Sequence, residues 1–243
     1  MSSQTATTAI SPREKYYFLA RRLHSLTGLM FSGFVCFHLL INATVLTGGE
    51  SFQFCVEKIH ILEHMGILVP VEMATIFFPI AFHALFGIVI LLTSQSNMKD
   101  YPYGGNIRYT LQRLSAVVIL VFLTMHIWHM HWLGKPFGGA QFDPANATST
   151  AAAAMQSWSL WAPIYAIGVA ATVFHLANGI WTALITWGVT IGPRSQRVAG
   201  YCCVALGAVL FVAGLGAVRG FMTYSVADGN ETAAVAQVEE SGH

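Results

Sequence analysis

Residues 68–92 read LVPVEMATIFFPIAFHALFGIVILL. Apart from Glu72 near the start and His83 further in, no side chain in the run ionises. The hydrocarbon core of a bilayer takes about 20 helical residues, so this run is long enough to cross. A helix that is apolar on every face is buried or membrane-spanning rather than half-solvated. Pro79, inside the run, predicts a kink. Four further runs, over 23–46, 111–133, 159–189 and 198–221, have the same character. The fourth span, 159–189, is long enough to need tilt or an extension beyond the lipid. The fold class that follows is all-α: a polytopic membrane protein, a bundle of five transmembrane helices. Residues 50–65 predict a short interfacial helix, and the Gly-, Ala- and Pro-rich stretch 134–150 a loop.

Composition agrees. The 243 residues are 55% hydrophobic and 9% charged, against about 25% charged in a soluble domain. A net charge of +1 argues against a nucleic-acid partner. Cys36, Cys55, Cys202 and Cys203 form no CxxC pair, which excludes CxxCH haem attachment and a four-cysteine cluster. No G-x-G-x-x-G follows a strand-like segment, so no dinucleotide site is visible. The first twenty residues are polar and carry no apolar core, so no cleavable signal peptide is expected. Arg13, Lys15, Arg21, Arg22, Lys99, Arg108, Arg113, Arg194 and Arg197 fall at one membrane face; only Lys58, Lys135 and Arg219 fall at the other. Basic residues mark the cytoplasmic side, so the N-terminus is expected inside and the C-terminus outside. The domain reading is a cytoplasmic segment 1–21, a membrane domain 22–222 and a polar tail 223–243.

His38, His83, His126 and His175 stand one in each of four spans. Ionisable side chains at that depth are costly and usually functional. Four such histidines are what two b-type haems with two imidazoles on each iron require. His38 lies nine residues before Thr47 and His126 nine before Lys135, so they share a depth. His83, thirteen after Pro70, and His175, twelve after Pro163, share a deeper level, roughly 6 Å further in at 1.5 Å per residue. The expected pairs are His38 with His126, the outer haem, and His83 with His175, the inner. Gly87 and Gly179 follow the inner pair by four residues, on the same helix faces, and are expected to make room for a flat macrocycle. The rival reading is a proton relay or cation transporter, or a haem-free scaffold. It would want acids inside the spans, where none stands except Glu72, at an entry.

Other patterns have blander readings. Gly200, Gly207 and Gly214 recur every seven residues, a small-residue face for packing or for contact with a neighbouring copy. Trp128, Trp132, Trp158 and Trp161 suggest an interfacial belt. His60, Glu63 and His64 fit an H-x-x-E-H string but sit in a short segment with no further acidic ligand pattern.

The chain resembles the single-polypeptide, di-haem cytochrome b anchors of succinate:quinone oxidoreductases, the respiratory complex II family. The matching stretches are YFLARRLHS (17–25), FHL (37–39), FPIAFHA (78–84), LQR (111–113), HIW (126–128), FHLANG (174–179) and TWGVTIGPRSQR (186–197), all in order. The resemblance implies five spans and axial ligands at His38, His83, His126 and His175. It implies two haem b, menaquinone as electron acceptor, and partner flavoprotein and iron–sulfur subunits carrying FAD and the clusters. It places the chain in the bacterial cytoplasmic (inner) membrane, in a complex that could itself form a homo-oligomer. Arg21, Arg22, His24 and Arg113 would pair haem propionates or dock the iron–sulfur subunit. Glu63, Glu72 and either His129 or His131 are the residues expected to serve quinone protonation near the outer haem. The alternative within the same broad class is the anchor of a formate dehydrogenase or hydrogenase.

Overall fold

The computed structural model describes residues 12–95 and 98–225. Residues 1–11 of the expected N-terminal segment and 226–243 of the expected tail lie outside the described residues. Within them the chain is helical and carries five helices long and apolar enough to cross a membrane.

The first, α1, runs Pro12–Ala43, with Pro12 at the first turn, where its missing N–H costs nothing. At 1.5 Å per residue it is about 48 Å long, more than a bilayer core needs. The helix starts eleven residues before the apolar run because apolarity marks where lipid begins, not where helix begins. A 3-10 turn, Thr44–Thr47, ends it, and α2 follows at Gly49–His64, close to the expected interfacial helix. The second span is one continuous helix in three parts: α3, Leu68–Glu72, a π-helical turn, Met73–Phe77, and α4, Phe78–Thr93. The expected disturbance at Pro79 thus takes the form of a π turn. Proline has no N–H to give and its ring crowds the carbonyl four residues back, here Thr75, in the middle of the widened turn.

The third span, α5, covers Gly104–Met130. The region after it corrects the expected loop: 3-10 turns at Trp132–Phe137 and Pro144–Asn146 lead into α6, Ala147–Gln156. Its run of alanines has the best intrinsic helix propensity, and the small side chains let it lie flush on its neighbours. The fourth span, α7, is Trp161–Thr186, shorter than the apolar run, though at 1.5 Å per residue still about 39 Å long. It ends in a Schellman motif. The Gly188 N–H donates to Ile185 O at 3.1 Å and the Val189 N–H to Leu184 O at 2.9 Å, with Gly188 at φ 75°. The last span, α8, is Pro193–Thr223.

Packing runs in the order α5, α7, α8, α1, α4, with a lesser contact between α1 and α7. No extended packing joins α4 to α5, α1 to α5, or α4 to α7 among the described residues. These are the helix pairs that frame the middle of the bundle. At one end the apolar faces of α2 and α6 close over it. Phe52, Val56, Ala152, Met155 and Phe221 are buried together there. Thr148 Oγ1 donates to Gly49 O at 2.6 Å, and Gln156 Nε2 donates to the free carbonyls of Phe221 and Tyr224 at 2.8 and 2.9 Å. Burial of each large apolar side chain in this cap contributes about 1.5–3 kcal/mol.

The glycine face of α8 packs within the chain. A Cβ at Gly207 would meet Ala177 and Val173 of α7, and one at Gly214 would come 2.7 Å from Val169 Cγ1. Of the two roles expected for this face, the first is the one seen. In lipid, helices gain little hydrophobic energy by associating, so close backbone approach supplies the attraction. Gly214→Val is expected to destabilise the protein by about 1–3 kcal/mol through overpacking, read as a lowered Tm of the detergent-purified protein; an unchanged Tm would mean that α7 and α8 are not held by this contact.

Candidate functional site

The four histidines meet in two crossed pairs. The rings of His38 on α1 and His126 on α5 have centroids 5.8 Å apart and planes 76° apart. The rings of His83 on α4 and His175 on α7 are 6.2 Å and 84° apart. Each pair reaches between two helices that do not pack on one another, so the rings meet inside the bundle.

The levels of the two pairs differ more than counting residues suggested. A Cβ at Gly28 of α1 would lie 2.5 Å from the His83 ring, and His38 comes ten residues later, about 15 Å along the helix. On α5, Ser115 touches His175, and His126 lies eleven residues on, again about 16 Å. The expected 6 Å was too small because α5 stops at Met130, short of Lys135, so His126 sits closer to its helix end than was reckoned. The room at His83 also comes from an unexpected glycine, Gly28. Gly87 faces His24 and Gly179 faces Gln112.

Each ring is held by one nitrogen. His83 Nδ1 is 2.9 Å from His24 O; a carbonyl only accepts, so Nδ1 carries the proton and Nε2 keeps a free lone pair. His175 Nδ1 likewise faces Gln112 O at 3.1 Å, with Ser115 Oγ at 3.2 Å. Gln112 Nε2 returns a bond to His175 O at 3.0 Å and its Oε1 accepts from Asn178 at 2.8 Å, so three polar residues lock this ring. His126 Nδ1 meets the Tyr165 hydroxyl at 3.2 Å. His38 is held least: Asn42 Nδ2 donates to its carbonyl at 2.8 Å and lies 3.4 Å from its Nε2, the long edge of hydrogen bonding.

Metal–imidazole bonds are about 2 Å, so two imidazoles on one ion place their ring centres roughly 6 Å apart, as in both pairs. No group of three or more His, Cys, Asp or Glu among the described residues could hold an ion. Two imidazoles alone do not complete a coordination shell. A metal here must bring its other ligands with it, as the iron of a porphyrin does. The residues present fit a haem at each pair.

The other candidates are dispersed. At the arginine-rich end, Arg22 donates to Thr186 O and lies over the rings of Phe18 and Trp187, so it braces the C-terminus of α7, a favourable place for a cation. Arg21 lies over Tyr17. Arg113 lies over Tyr109 at 4.2 Å and donates to Ile90 O at 3.4 Å, linking α5 to α4. The His24 ring stacks on His83 at 4.0 Å, its Nδ1 buried without a hydrogen-bond partner. At the capped end, Glu63 is well exposed and 3.6 Å from His60. Glu72 is half-buried, with Oε2 3.8 Å from His131 Nε2 and no hydrogen bond. The structure therefore sets His131 beside Glu72, not His129. His129 is 2% exposed, stacked on Trp161 at 4.0 Å, its Nδ1 3.1 Å from Tyr165 Oη. Trp161 is buried by this stack and leaves the expected aromatic belt.

Sequence reading missed Tyr165, Ser115 and the bracing role of Gln112. Tyr165 offered one usable signal: a hydroxyl two residues after Pro163, at the depth of His126.

The model of the succinate dehydrogenase/fumarate reductase transmembrane subunit family matches residues 104–214. These include His126 and His175. The succinate dehydrogenase cytochrome b558 subunit of Bacillus subtilis is 32% identical over 215 residues, 88% of this chain and the whole of that relative. The anchors of formate dehydrogenases and hydrogenases are thereby set aside. With five apolar spanning helices and these matches, the chain is a multi-pass protein of the cytoplasmic membrane and belongs to the succinate dehydrogenase/fumarate reductase transmembrane subunit family.

Proposed function

We propose that this chain is the di-haem cytochrome b anchor of a succinate dehydrogenase, carrying electrons from a flavoprotein and an iron–sulfur subunit across two bis-histidine haems b to menaquinone. The observation that carries the reading is the pair of crossed imidazole couples, each drawn from two different spans and too poor in donors to hold a bare ion. Haem held there by these imidazoles would supply a one-electron carrier suited to electron transfer rather than oxygen chemistry.

The chain's own residues do the positioning. The carbonyls of His24 and Gln112 hold the Nδ1 protons of His83 and His175, which fixes tautomer and ring orientation and raises the basicity of Nε2. His83 and His175 serve the inner haem, and His38 and His126 the outer. The arginine-rich end faces the cytoplasm and the soluble subunits. Arg113, already turned into the gap between α4 and α5, and His24, with a free buried nitrogen, are placed to receive the propionates of the inner haem. Arg21 is left for the partner subunit, and Arg22 shares that role with its bracing of α7.

Quinone reduction consumes two protons for two electrons. At the capped end Glu72 is the group placed to deliver one: its carboxylate is half-buried, and its Oε2 lacks a hydrogen bond and stands 3.8 Å from His131 Nε2. Glu63, exposed on α2, could recharge that pair from water. His129 is enclosed and reaches quinone only through neighbours.

The purified complex is expected to show two low-spin b-type components in reduced-minus-oxidised spectra. His83→Ala and His175→Ala should each remove the same component, and His38→Ala and His126→Ala the other. Loss of one component by both His38→Ala and His83→Ala would refute the pairing, and absence of any b-type band would refute the haems. Glu72→Gln should slow succinate–menaquinone reductase activity about a hundredfold, the scale of a lost general acid. Succinate oxidation by a dye that accepts from the soluble subunits should be unchanged; equal loss of both would place Glu72 in assembly rather than proton delivery.

A further inference from the structure

Tyr165 and His129 form a part of the molecule that neither the helix packing nor the family match assigns. The Tyr165 hydroxyl lies 3.2 Å from His126 Nδ1 and 3.1 Å from His129 Nδ1, one oxygen between two imidazoles. His129 is 2% exposed and Tyr165 7%, so no bulk water competes. Trp161 clamps His129 in a parallel stack at 4.0 Å and 15°. Phe122 lies beside both His126 and Tyr165, at 5.8 and 5.3 Å. At the other pair both Nδ1 atoms face backbone carbonyls, and the one hydroxyl there, Ser115 Oγ at 3.2 Å from His175 Nδ1, donates back to Gln112 O and leads to no second imidazole.

We infer that the chain His126–Tyr165–His129 is a directed hydrogen-bond relay that makes the outer haem harder to reduce than its own ligands alone would. The inference rests on the haem reading above. Proton order follows from valence. If His126 coordinates iron through Nε2, its one proton is on Nδ1 and must be donated to the tyrosine oxygen. The phenol's single proton is then free to go to His129 Nδ1, which accepts as the Nε2–H tautomer. Both contacts in the chain then run in one direction, from His126 through the phenol to His129. Such a chain polarises itself: by donating to His129, the phenol oxygen becomes a better acceptor for His126. A stronger acceptor on Nδ1 draws the ligand toward imidazolate, raises its basicity and favours ferric over ferrous iron. Tyr165 and His129 are thus positioning residues acting through His126. The inner ligands lack such a relay: the carbonyls have no proton to pass on, and the Ser115 hydroxyl spends its own on the Gln112 carbonyl.

The test is redox potentiometry of the intact complex, followed by visible and EPR spectra, for Tyr165→Phe and His129→Phe. Phenylalanine keeps an aromatic ring at each place and removes the hydrogen bonds. In Tyr165→Phe the outer midpoint should rise. The reduced-to-oxidised ratio at fixed potential should grow by about tenfold, ~59 mV for a one-electron couple. The EPR signal of that centre should shift, and the inner midpoint should stay. His129→Phe should move the outer centre the same way by less. If Tyr165→Phe loses the outer haem, a rise in His129→Phe alone supports the relay. An unchanged outer midpoint in both variants, or equal movement of both centres, overturns it. A wild-type complex with no b-type band would instead defeat the haem reading and is told apart from failure of the relay by that control.

Discussion

A histidine inside a membrane has two ring nitrogens and no water to satisfy them, and that constraint organises this molecule. One nitrogen carries a proton that must be accepted; the other carries a lone pair that must be used. The accepting half of the problem is met by His24 O for His83, by Gln112 O for His175 and by Tyr165 for His126. These partners come from a different helix than the histidine they hold. The rings therefore also fix how α4 sits on α1 and how α7 sits on α5. The rings themselves meet in two crossed pairs, His38 with His126 and His83 with His175.

The same residues tie sequence stretches that lie far apart. His24 belongs to the arginine-rich first turns of α1, yet its carbonyl orients His83 on α4 and its ring stacks on it. Arg22 and Ser25, from the same stretch, hold Thr186 and Trp187 at the end of α7. Gly188 turns the chain there in a left-handed conformation. Residues 17–25 and 186–197 thus work as one knot at the arginine-rich end. Arg22 and Arg113 differ in what they join: Arg22 ties α1 to the end of α7, and Arg113 ties α5 to Ile90 O of α4.

What the sequence made legible was whatever repeats or costs energy. Twenty apolar residues in a row cannot be hidden, so five spans were plain, as was the interfacial helix α2. A lone histidine in each of four spans was equally conspicuous, and depth counting paired them the way the structure brings them together. The spacing between pairs was not legible, because it depends on where α5 ends, and a 3-10 turn at Trp132 carries no hydropathy signal. Helix α6 was read as a loop, since alanine, glycine and proline in a short polar stretch look like one until α2 offers a face to bury them. Neutral partners such as Ser115 and Tyr165 were invisible for a simpler reason. A hydroxyl in a span costs little when it bonds to its own helix, so nothing in the sequence separates one that holds a histidine from one that does not.

Span α8 carries no histidine, and its place explains how the others can be exact. It packs along α7 and α1, with Gly207 and Gly214 against Val173 and Val169 of α7 and Leu39 of α1 close by. His38 is the neighbour of Leu39 in sequence, and His175 lies two residues beyond Val173. Small residues on α8 draw these two backbones in to near contact, where a side chain would hold them off. A slip of one helix against another by even one residue, about 1.5 Å, would undo the pairing of rings whose centroids lie 5.8 and 6.2 Å apart. In lipid, where apolar side chains gain nothing by leaving the solvent, such a register is set by shape together with the hydrogen bonds between helices. The glycine face of α8 supplies that shape without entering the site, and the cap of α2 and α6, gripping the end of α8 through Gln156, keeps it from sliding.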